Sequence, residues 1–193
     1  PQLGWWGQAT GQIGGPVSNA STNLGHGVGT SADIVLVSNF NVGAGASQGD
    51  SIDLSLTAFS HLLRSTNSSA GPTLGNAILS NAVAPGGTIT VANADVIVLS
   101  DVQHYANAVA VAAALTKAAT SINFATTQTN SVNHYVLAYQ DMTGNTRLAD
   151  MDIHNATGFT NTANVATLAV SDLVQLTGVD LSQIQASNIH FVA

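Results

Sequence analysis

Aspartate is the most informative residue type for metal or acid–base chemistry in this chain. All ten acidic residues are Asp, and the chain contains neither Glu nor Cys. Calcium prefers carboxylate, carbonyl and amide oxygens, and several of the Asp residues stand near Asn, Ser and Gly. The best local pairs, Asp50 with Asp53 and Asp150 with Asp152, are therefore the candidate calcium ligands. The alternative for both pairs is capping or solvation of turns and strands.

Histidine offers fewer indications of a site. The six His residues include no H-E-x-x-H spacing, and only His134 and His154 are predicted to face each other, across a hairpin. Such a pair can bind a metal or pack as a polar cross-strand pair. Ser, His and Asp are present, but without a G-x-S-x-G turn or two Asp residues at a working separation. We expect no enzymatic activity.

Of the unusual segments near the start, only the Trp5-Trp6 pair is a candidate for binding. The Gly-rich stretches 11–15 and 25–29 are not followed by Lys and a helix, so they do not indicate a phosphate site. Trp5 and Trp6 form an uncharged aromatic pair that is costly to expose. We predict that they lie in an interface, either on the chain's own core or on a neighbouring copy as an exchanged arm.

The charge balance excludes some partners. The formal net charge is -7, and the only basic residues are Arg64, Lys117 and Arg147. Nucleic-acid binding needs clustered Lys and Arg, so we exclude it. The longest apolar run, 106–114, is much shorter than the roughly 20 residues of a membrane-spanning helix, and no span is predicted.

The elements that must position these side chains are predicted to be mostly strands. A chain without Glu and with one Lys lacks the residues that normally solvate helix surfaces. The fold class is therefore mainly β with a few helices, a layered sandwich or sheet stack with one longer Ala-rich helix. Strands are indicated by four Asp-led apolar segments, which are 33–37, 50–55, 95–100 and 172–177.

Further elements follow from local patterns. The clearest is a hairpin over 134–154 with its turn at 142–145. Strands are also expected at 165–170 and 188–192, with a helical turn at 181–185. Helices are predicted at 100–120, capped by Ser100 or Asp101 and packed through Val109, Ala112, Ala113 and Leu115, and at 56–64 and 74–83.

Breakers around 71–87 divide the predicted chain. We expect a Gly-rich N-terminal arm at 1–30, a β-rich first half at 31–87 and a β-rich second half at 88–193, the two halves packing intimately. The start at Pro1, without an initiator Met or a basic-then-apolar leader, predicts a processed chain or part of a longer one.

Two groups of residues resemble bacterial surface proteins. The segment 37–41 followed by Gly49-Asp50-Ser51-Ile52-Asp53-Leu54-Ser55 is similar to the segment that closes the calcium-binding repeats of RTX proteins. The C-terminal stretches 174–182 and 188–193 resemble the ends of S-layer and adhesin-like proteins exported by type I secretion. The RTX nonapeptide Gly-Gly-x-Gly-x-Asp is absent, so the family's β-roll calcium sites are not transferred.

The resemblance and the composition together predict a non-catalytic, secreted structural protein of the bacterial cell surface. It would self-assemble into a surface layer, filament or adhesive matrix, with copies of itself as partners and calcium as the candidate ion. The alternatives are a C-terminal cap or secretion module of a larger exoprotein, and an extracellular protein that binds haem, a metal or a sugar.

Overall fold

The protein is a strand-rich structure in which two sheets and one helix form successive layers. The computed structural model describes residues 2–3, 9–10, 34–43, 49–57, 71–82, 88–91, 94–100, 103–115, 121–124, 132–154, 163–164 and 167–193. Within these ranges no helix is long and apolar enough to cross a membrane. The predicted class, mainly β with a few helices, is confirmed.

The strands and helices occur in the following order along the chain. The first seven strands are β1 (Gln2–Leu3), β2 (Ala9–Thr10), β3 (Val35–Val37), β4 (Ile52–Ser55), β5 (Gly75–Asn76), β6 (Leu79–Ala82) and β7 (Thr88–Val91). Next come β8 (Val96–Leu99), helix α1 (Ala108–Leu115), β9 (Ser121–Phe124), β10 (Val132–Gln140) and β11 (Thr146–His154). The chain ends with β12 (Ala163–Asn164), β13 (Thr167–Leu176), two short 3₁₀ turns (Leu181–Gln183 and Ala186–Asn188) and β14 (Ile189–Val192).

In the six-stranded sheet the outer strands pair in parallel and the central strands pair antiparallel, and in the five-stranded sheet the reverse holds. The six-stranded sheet has the order β3-β13-β11-β10-β8-β6, in which β3 is parallel to β13 and β6, β8 and β10 are mutually parallel. The five-stranded sheet has the order β2-β1-β4-β14-β5, and a three-stranded sheet has the order β12-β9-β7. Strands from 31–87 and from 88–193 therefore share the six-stranded and the five-stranded sheet, whereas the three-stranded sheet is built from 88–193 alone.

The six-stranded sheet is covered on both faces. On one face, Val136 and Leu148 pack with Leu54 and Phe191 of the five-stranded sheet, and all four side chains are almost fully buried. On the other face, Tyr135 and Tyr139 belong to the cluster that includes the helix α1. Burial of these apolar groups on both faces is the main stabilisation of the layers.

Helix α1 is shorter than predicted and presents a different face to the sheet. Asn107, not Ser100 or Asp101, caps it, because the Asn107 Oδ1 atom accepts from the Ala110 N–H at 3.0 Å. The buried residues are Ala108, Val111 and Leu115, at the i, i+3 and i+7 spacing of one helical face. Of the predicted contact residues, Val109 is 61% exposed and Ala113 is also exposed, so that part of the prediction is wrong.

Several strand predictions agree with the structure, and one helix prediction does not. The four Asp-led segments supply β3, β4, β8 and part of β13, and the hairpin and terminal strand occur as β10, β11 and β14. The two strands predicted at 165–170 and 172–177 are one strand, β13. The helix predicted at 74–83 is wrong, since β5 and β6 occupy this stretch and pair with β14 and β8. Most of the predicted helix 56–64 lies outside the described residues.

Candidate functional site

A histidine between two aspartates lies on one face of the β10–β11 hairpin. His134 is directly opposite Asp152, and Asp150 lies two residues away on the same face. The His134 Nδ1 atom is 3.2 Å from both carboxylate oxygens of Asp150, and its Nε2 atom is 3.8 Å from Asp152 Oδ1. The prediction that His134 faces His154 is wrong, because His154 is opposite Val132.

The charge state of this His134–Asp150–Asp152 cluster follows from its contacts. The hydrogen bond to Asp150 is the strongest influence, and it raises the pKa of His134 above its ordinary value. Burial acts in the opposite direction, while the negative charges of both carboxylates add to the rise. The predicted pair Asp150 and Asp152 thus lies together on one face, but it is engaged with an imidazole.

The other predicted pair binds separate partners. The Asp50 Oδ2 atom accepts from the Asn41 N–H at 2.9 Å, which closes the loop before β4. The Asp53 Oδ1 atom accepts from Ser51 Oγ at 3.2 Å and lies 3.5 Å from His190 Nδ1. Because the Ser51 hydroxyl donates to the carboxylate and not to the imidazole, this trio lacks the serine–histidine bond of an activated nucleophile.

The metal and interface predictions remain predictions. Across the part of the chain that the structure describes, no group of three or more His or Asp side chains is arranged to hold a metal ion. Trp5 and Trp6 lie outside the described residues. The preceding strand, β1, pairs in parallel with β4 of its own chain, so the N-terminal segment contributes to the five-stranded sheet.

Among the described residues, Arg147 joins two buried carboxylates in a network that sequence analysis missed. Arg147 Nε is 3.0 Å from Asp141 Oδ2, and Arg147 Nη1 is 2.8 Å from Asp172 Oδ2. The Tyr139 hydroxyl donates to Asp172 Oδ1 at 2.6 Å. The extra residue Leu173, at a β-bulge in β13, places Asp172 opposite Ala149 and on the same face as Tyr139 and Arg147.

The network also holds the hairpin turn. The Asp141 Oδ1 atom accepts from the backbone N–H groups of Thr143 and Asn145 and from the Thr143 hydroxyl. Burial acts to raise the pKa of Asp141, but the bonds from Thr143, Asn145 and Arg147 together lower it below its ordinary value. The buried carboxylates of Asp141 and Asp172 are thus satisfied by neighbouring side chains and backbone groups, and we interpret the network as structural.

A small open pocket lies where three parallel strands end. Its volume is about 280 Å³, and its polar lining consists of Asn81 on β6, Ser100 after β8, Gln140 at the end of β10, Asp180 and Ser182. Val98, Leu181 and Ile184 form the apolar lining. Because β6, β8 and β10 run in the same direction, their carboxyl ends converge on this pocket.

The carboxylate in the pocket is fixed by its neighbours. Asp180 Oδ1 accepts from Ser182 Oγ at 2.6 Å and from the Ser182 N–H at 2.8 Å. These bonds, with smaller contributions from Gln140 and the nearby His104, lower the pKa of Asp180. Asp180 is therefore ionised at neutral pH. No sequence motif pointed to this pocket, because its residues come from four separate segments.

The outer strand β3 presents a backbone edge. The Thr177 N–H donates to the Val37 carbonyl at 2.8 Å, so the backbone groups of Val37 point toward β13. Successive residues of a strand alternate in this direction, and the N–H and C=O of Leu36 therefore point away from β13. Among the described strands, β3 pairs only with β13. The Leu36 side chain is 41% exposed.

Comparisons with protein-family models, with curated proteins and with solved structures find no match to this chain.

Proposed function

We propose that this chain is a non-catalytic structural protein that assembles with copies of itself through the edge of its six-stranded sheet. The observation that carries the proposal is the edge at β3, where the backbone of Leu36 points away from its only described partner strand. Unpaired backbone groups on an outer strand can pair with a strand of another chain. An exposed apolar side chain at the same position adds area that an interface would bury.

Parallel stacking of strands supports the proposal. The chain runs from β3 in the six-stranded sheet to β4 in the five-stranded sheet, and later from β13 to β14 between the same two sheets. Strand β13 pairs in parallel with β3, and β14 pairs in parallel with β4. The same arrangement recurs where the chain runs from β6 to β7 and later from β8 to β9, because β8 pairs in parallel with β6 and β9 pairs in parallel with β7. Structures built from stacked strand pairs of this kind expose a pairing surface at each end of the stack unless a cap covers it. Addition of another copy at β3 would continue the pattern in the six-stranded sheet, whereas in the five-stranded sheet β1 already pairs with the outer edge of β4.

The placement of charge also favours association. Only 7% of the residues are charged. Three of the Asp residues, Asp95, Asp141 and Asp172, are buried and do not contribute to the surface. Proteins with few surface charges repel one another weakly, so contacts made by backbone pairing and apolar groups can dominate at any salt concentration.

A pair of lysine substitutions tests the proposal. Leu36→Lys places a charge on the β3 edge, and Lys on an outer strand opposes pairing with another chain. Val109→Lys is the matched control, because Val109 is 61% exposed but lies on helix α1. We expect polymers of the wild-type chain and of Val109→Lys in negative-stain electron microscopy and light scattering, and monomers of Leu36→Lys. Monomeric wild-type protein, or Leu36→Lys polymers like those of the wild type, would overturn the proposal.

Calcium and location are further parts of the same proposal. The microscopy is repeated in millimolar calcium and in chelator. Polymers that dissolve in chelator would add a calcium-dependent contact, for which Asp50, Asp53, Asp150 and Asp152 are the first residues to replace. The surface of a bacterial cell, reached by type I secretion, is the location that the C-terminal resemblance suggests. Monomers in both calcium and chelator would favour the alternative, in which the chain is a cap or secretion module of a larger exoprotein.

A further inference from the structure

We propose that the pocket at the carboxyl ends of β6, β8 and β10 binds one small, neutral, polyhydroxylated molecule of the monosaccharide class. The pocket holds about 280 Å³, just below the range of about 300–1,000 Å³ that is typical of small-molecule sites. A single sugar ring is the size that this volume suits. The proposal does not depend on self-assembly, since all of the lining residues belong to one chain.

The lining combines the two kinds of surface that a sugar presents. Val98 is 5% exposed, Leu181 is 6% exposed and Ile184 is 9% exposed, and these side chains form a fixed apolar wall. A wall of this kind suits the C–H groups of a sugar ring. Asn81 and Gln140 add amide donors and acceptors, which suit its hydroxyl groups.

The polar rim is held in place before a ligand arrives. Ser182 donates twice to Asp180 Oδ1, and the Asp180 N–H donates to Gln183 Oε1 at 3.1 Å. Gln140 Nε2 donates to the Gly144 carbonyl at 3.2 Å. Side chains that are already oriented lose little freedom when they bind a ligand. The Asp180 carboxylate is thus an oriented acceptor for hydroxyl groups.

Other ligand classes fit the pocket less well. An anion would meet the ionised carboxylate of Asp180, and a calcium ion needs six to eight oxygen ligands where the lining has a single carboxylate. A flat aromatic ligand would lack an aromatic partner, because none of the lining residues has an aromatic ring. A cationic amine is the remaining competitor, and the experiment below distinguishes it.

Saturation-transfer NMR with three probes tests the proposal. The probes are the methyl glycosides of glucose, galactose and mannose, and glucosamine is the charged comparison. For so small a ligand we expect a dissociation constant of about 1 mM. Asp180→Asn and Asn81→Ala are the pocket variants, and Asp53→Asn is the matched control outside the pocket. Asn retains the capping ability of Asp180, and the Asn81 side chain is exposed, so both variants should fold.

The expected result is saturation transfer to at least one neutral glycoside in the wild-type protein and in Asp53→Asn. Each pocket variant should bind that glycoside about tenfold more weakly, because a hydrogen bond to a charged or oriented group is lost. The proposal is overturned if no glycoside receives saturation, if both pocket variants bind as the wild type does, or if glucosamine alone binds. If circular dichroism shows that Asp180→Asn does not fold, the affinity of Asn81→Ala for the glycoside tests the proposal alone.

Discussion

Arg147 is the residue that joins the two halves of the buried ionic network. Its guanidinium contacts Asp141 in the hairpin turn and Asp172 on the neighbouring strand β13. Both carboxylates are almost fully buried, with 2% of each side chain exposed. A buried charge that loses its partner is strongly destabilising, so the contribution of Arg147 is larger than that of a surface ion pair.

Replacement of Arg147 should therefore destabilise the protein markedly. Arg147→Leu leaves two buried carboxylates without their cation, and we expect the free energy of unfolding to fall by about 3 kcal/mol in urea denaturation at neutral pH. Arg147→Lys should cost less, because an ammonium retains the charge but not the two-sided donor geometry. Gln175→Leu, at the position opposite Arg147 on β13, is the control. Equal effects of Arg147→Leu and Gln175→Leu would show that the network contributes little.

His134 gives the protein a dependence on pH whose sign can be worked out. Its folded-state pKa is raised, chiefly by the bond to Asp150. The protonated imidazole thus stabilises the folded state below the ordinary pKa of about 6.5, and this stabilisation is lost as the pH rises through the folded-state pKa.

His134→Gln removes this titration and is the test. We expect the wild-type protein to exceed His134→Gln in unfolding free energy by up to about 1 kcal/mol near pH 5, because the cluster is partly exposed. The difference should shrink toward pH 9. A difference that stays constant between these pH values would mean that packing, and not charge, sets the contribution of His134.

Predictions about individual side chains failed where they depended on register. The sequence indicated that Asp150 and Asp152 share a face, since residues two apart on a strand do so. It did not indicate their partner. The turn at 142–145 was predicted one residue too long, whereas Asp141 and Asn145 are joined by the Asp141 N–H donating to the Asn145 carbonyl. A change of one residue in the loop moves every cross-strand partner by one residue, and the observed register places Asp152 opposite His134.

The hairpin turn depends on one glycine. Between Asp141 and Asn145 the loop has three residues, and the last, Gly144, has φ +81°. A left-handed residue at this position is typical of three-residue hairpin loops. Open space surrounds the position where a Cβ atom would be, so steric contact is not the reason for glycine. The reason is the backbone conformation itself.

Gly144→Ala should therefore lower the free energy of unfolding by about 1 kcal/mol, measured by urea denaturation. Gly144→Asn is the matched variant, because Asn adopts left-handed conformations more readily than Ala, and it should cost less. If both substitutions cost the same amount, the conformation of residue 144 is not what the turn requires.

Strand β6 shows that a local sequence pattern does not always identify the secondary structure of a segment. The segment 74–83 is a short, largely apolar run, and such a run does not distinguish a helix from a strand. Their pairing with β8 and β14, which come from distant parts of the sequence, decides the outcome. The hairpin of β10 and β11 was predictable because its partners are adjacent in sequence and its turn chemistry is explicit. The pocket and the β3 edge depend on distant pairings and were not predictable.

The whole molecule is organised by pairings between residues that are far apart in the chain. Strand β14 at the C-terminal end lies between β4 and β5, and β3 lies beside β13. One of the two outer strands of the six-stranded sheet, β3, is thus an early segment that pairs with a late one, β13. This arrangement presents the backbone of Leu36 at the sheet edge, and the proposed assembly depends on that edge.

Hydrogen–deuterium exchange across a concentration series measures this edge directly, with assembly followed by sedimentation in the same samples. Pairing of β3 with a second copy would bury the outward-facing N–H of Leu36, so we predict that exchange in the peptide containing 35–37 slows as assemblies form. Helix α1 serves as the internal reference and should exchange at a constant rate. Assemblies in which the β3 peptide exchanges as fast as in the monomer, or a chain that stays monomeric at every concentration, would contradict the proposed role of this edge.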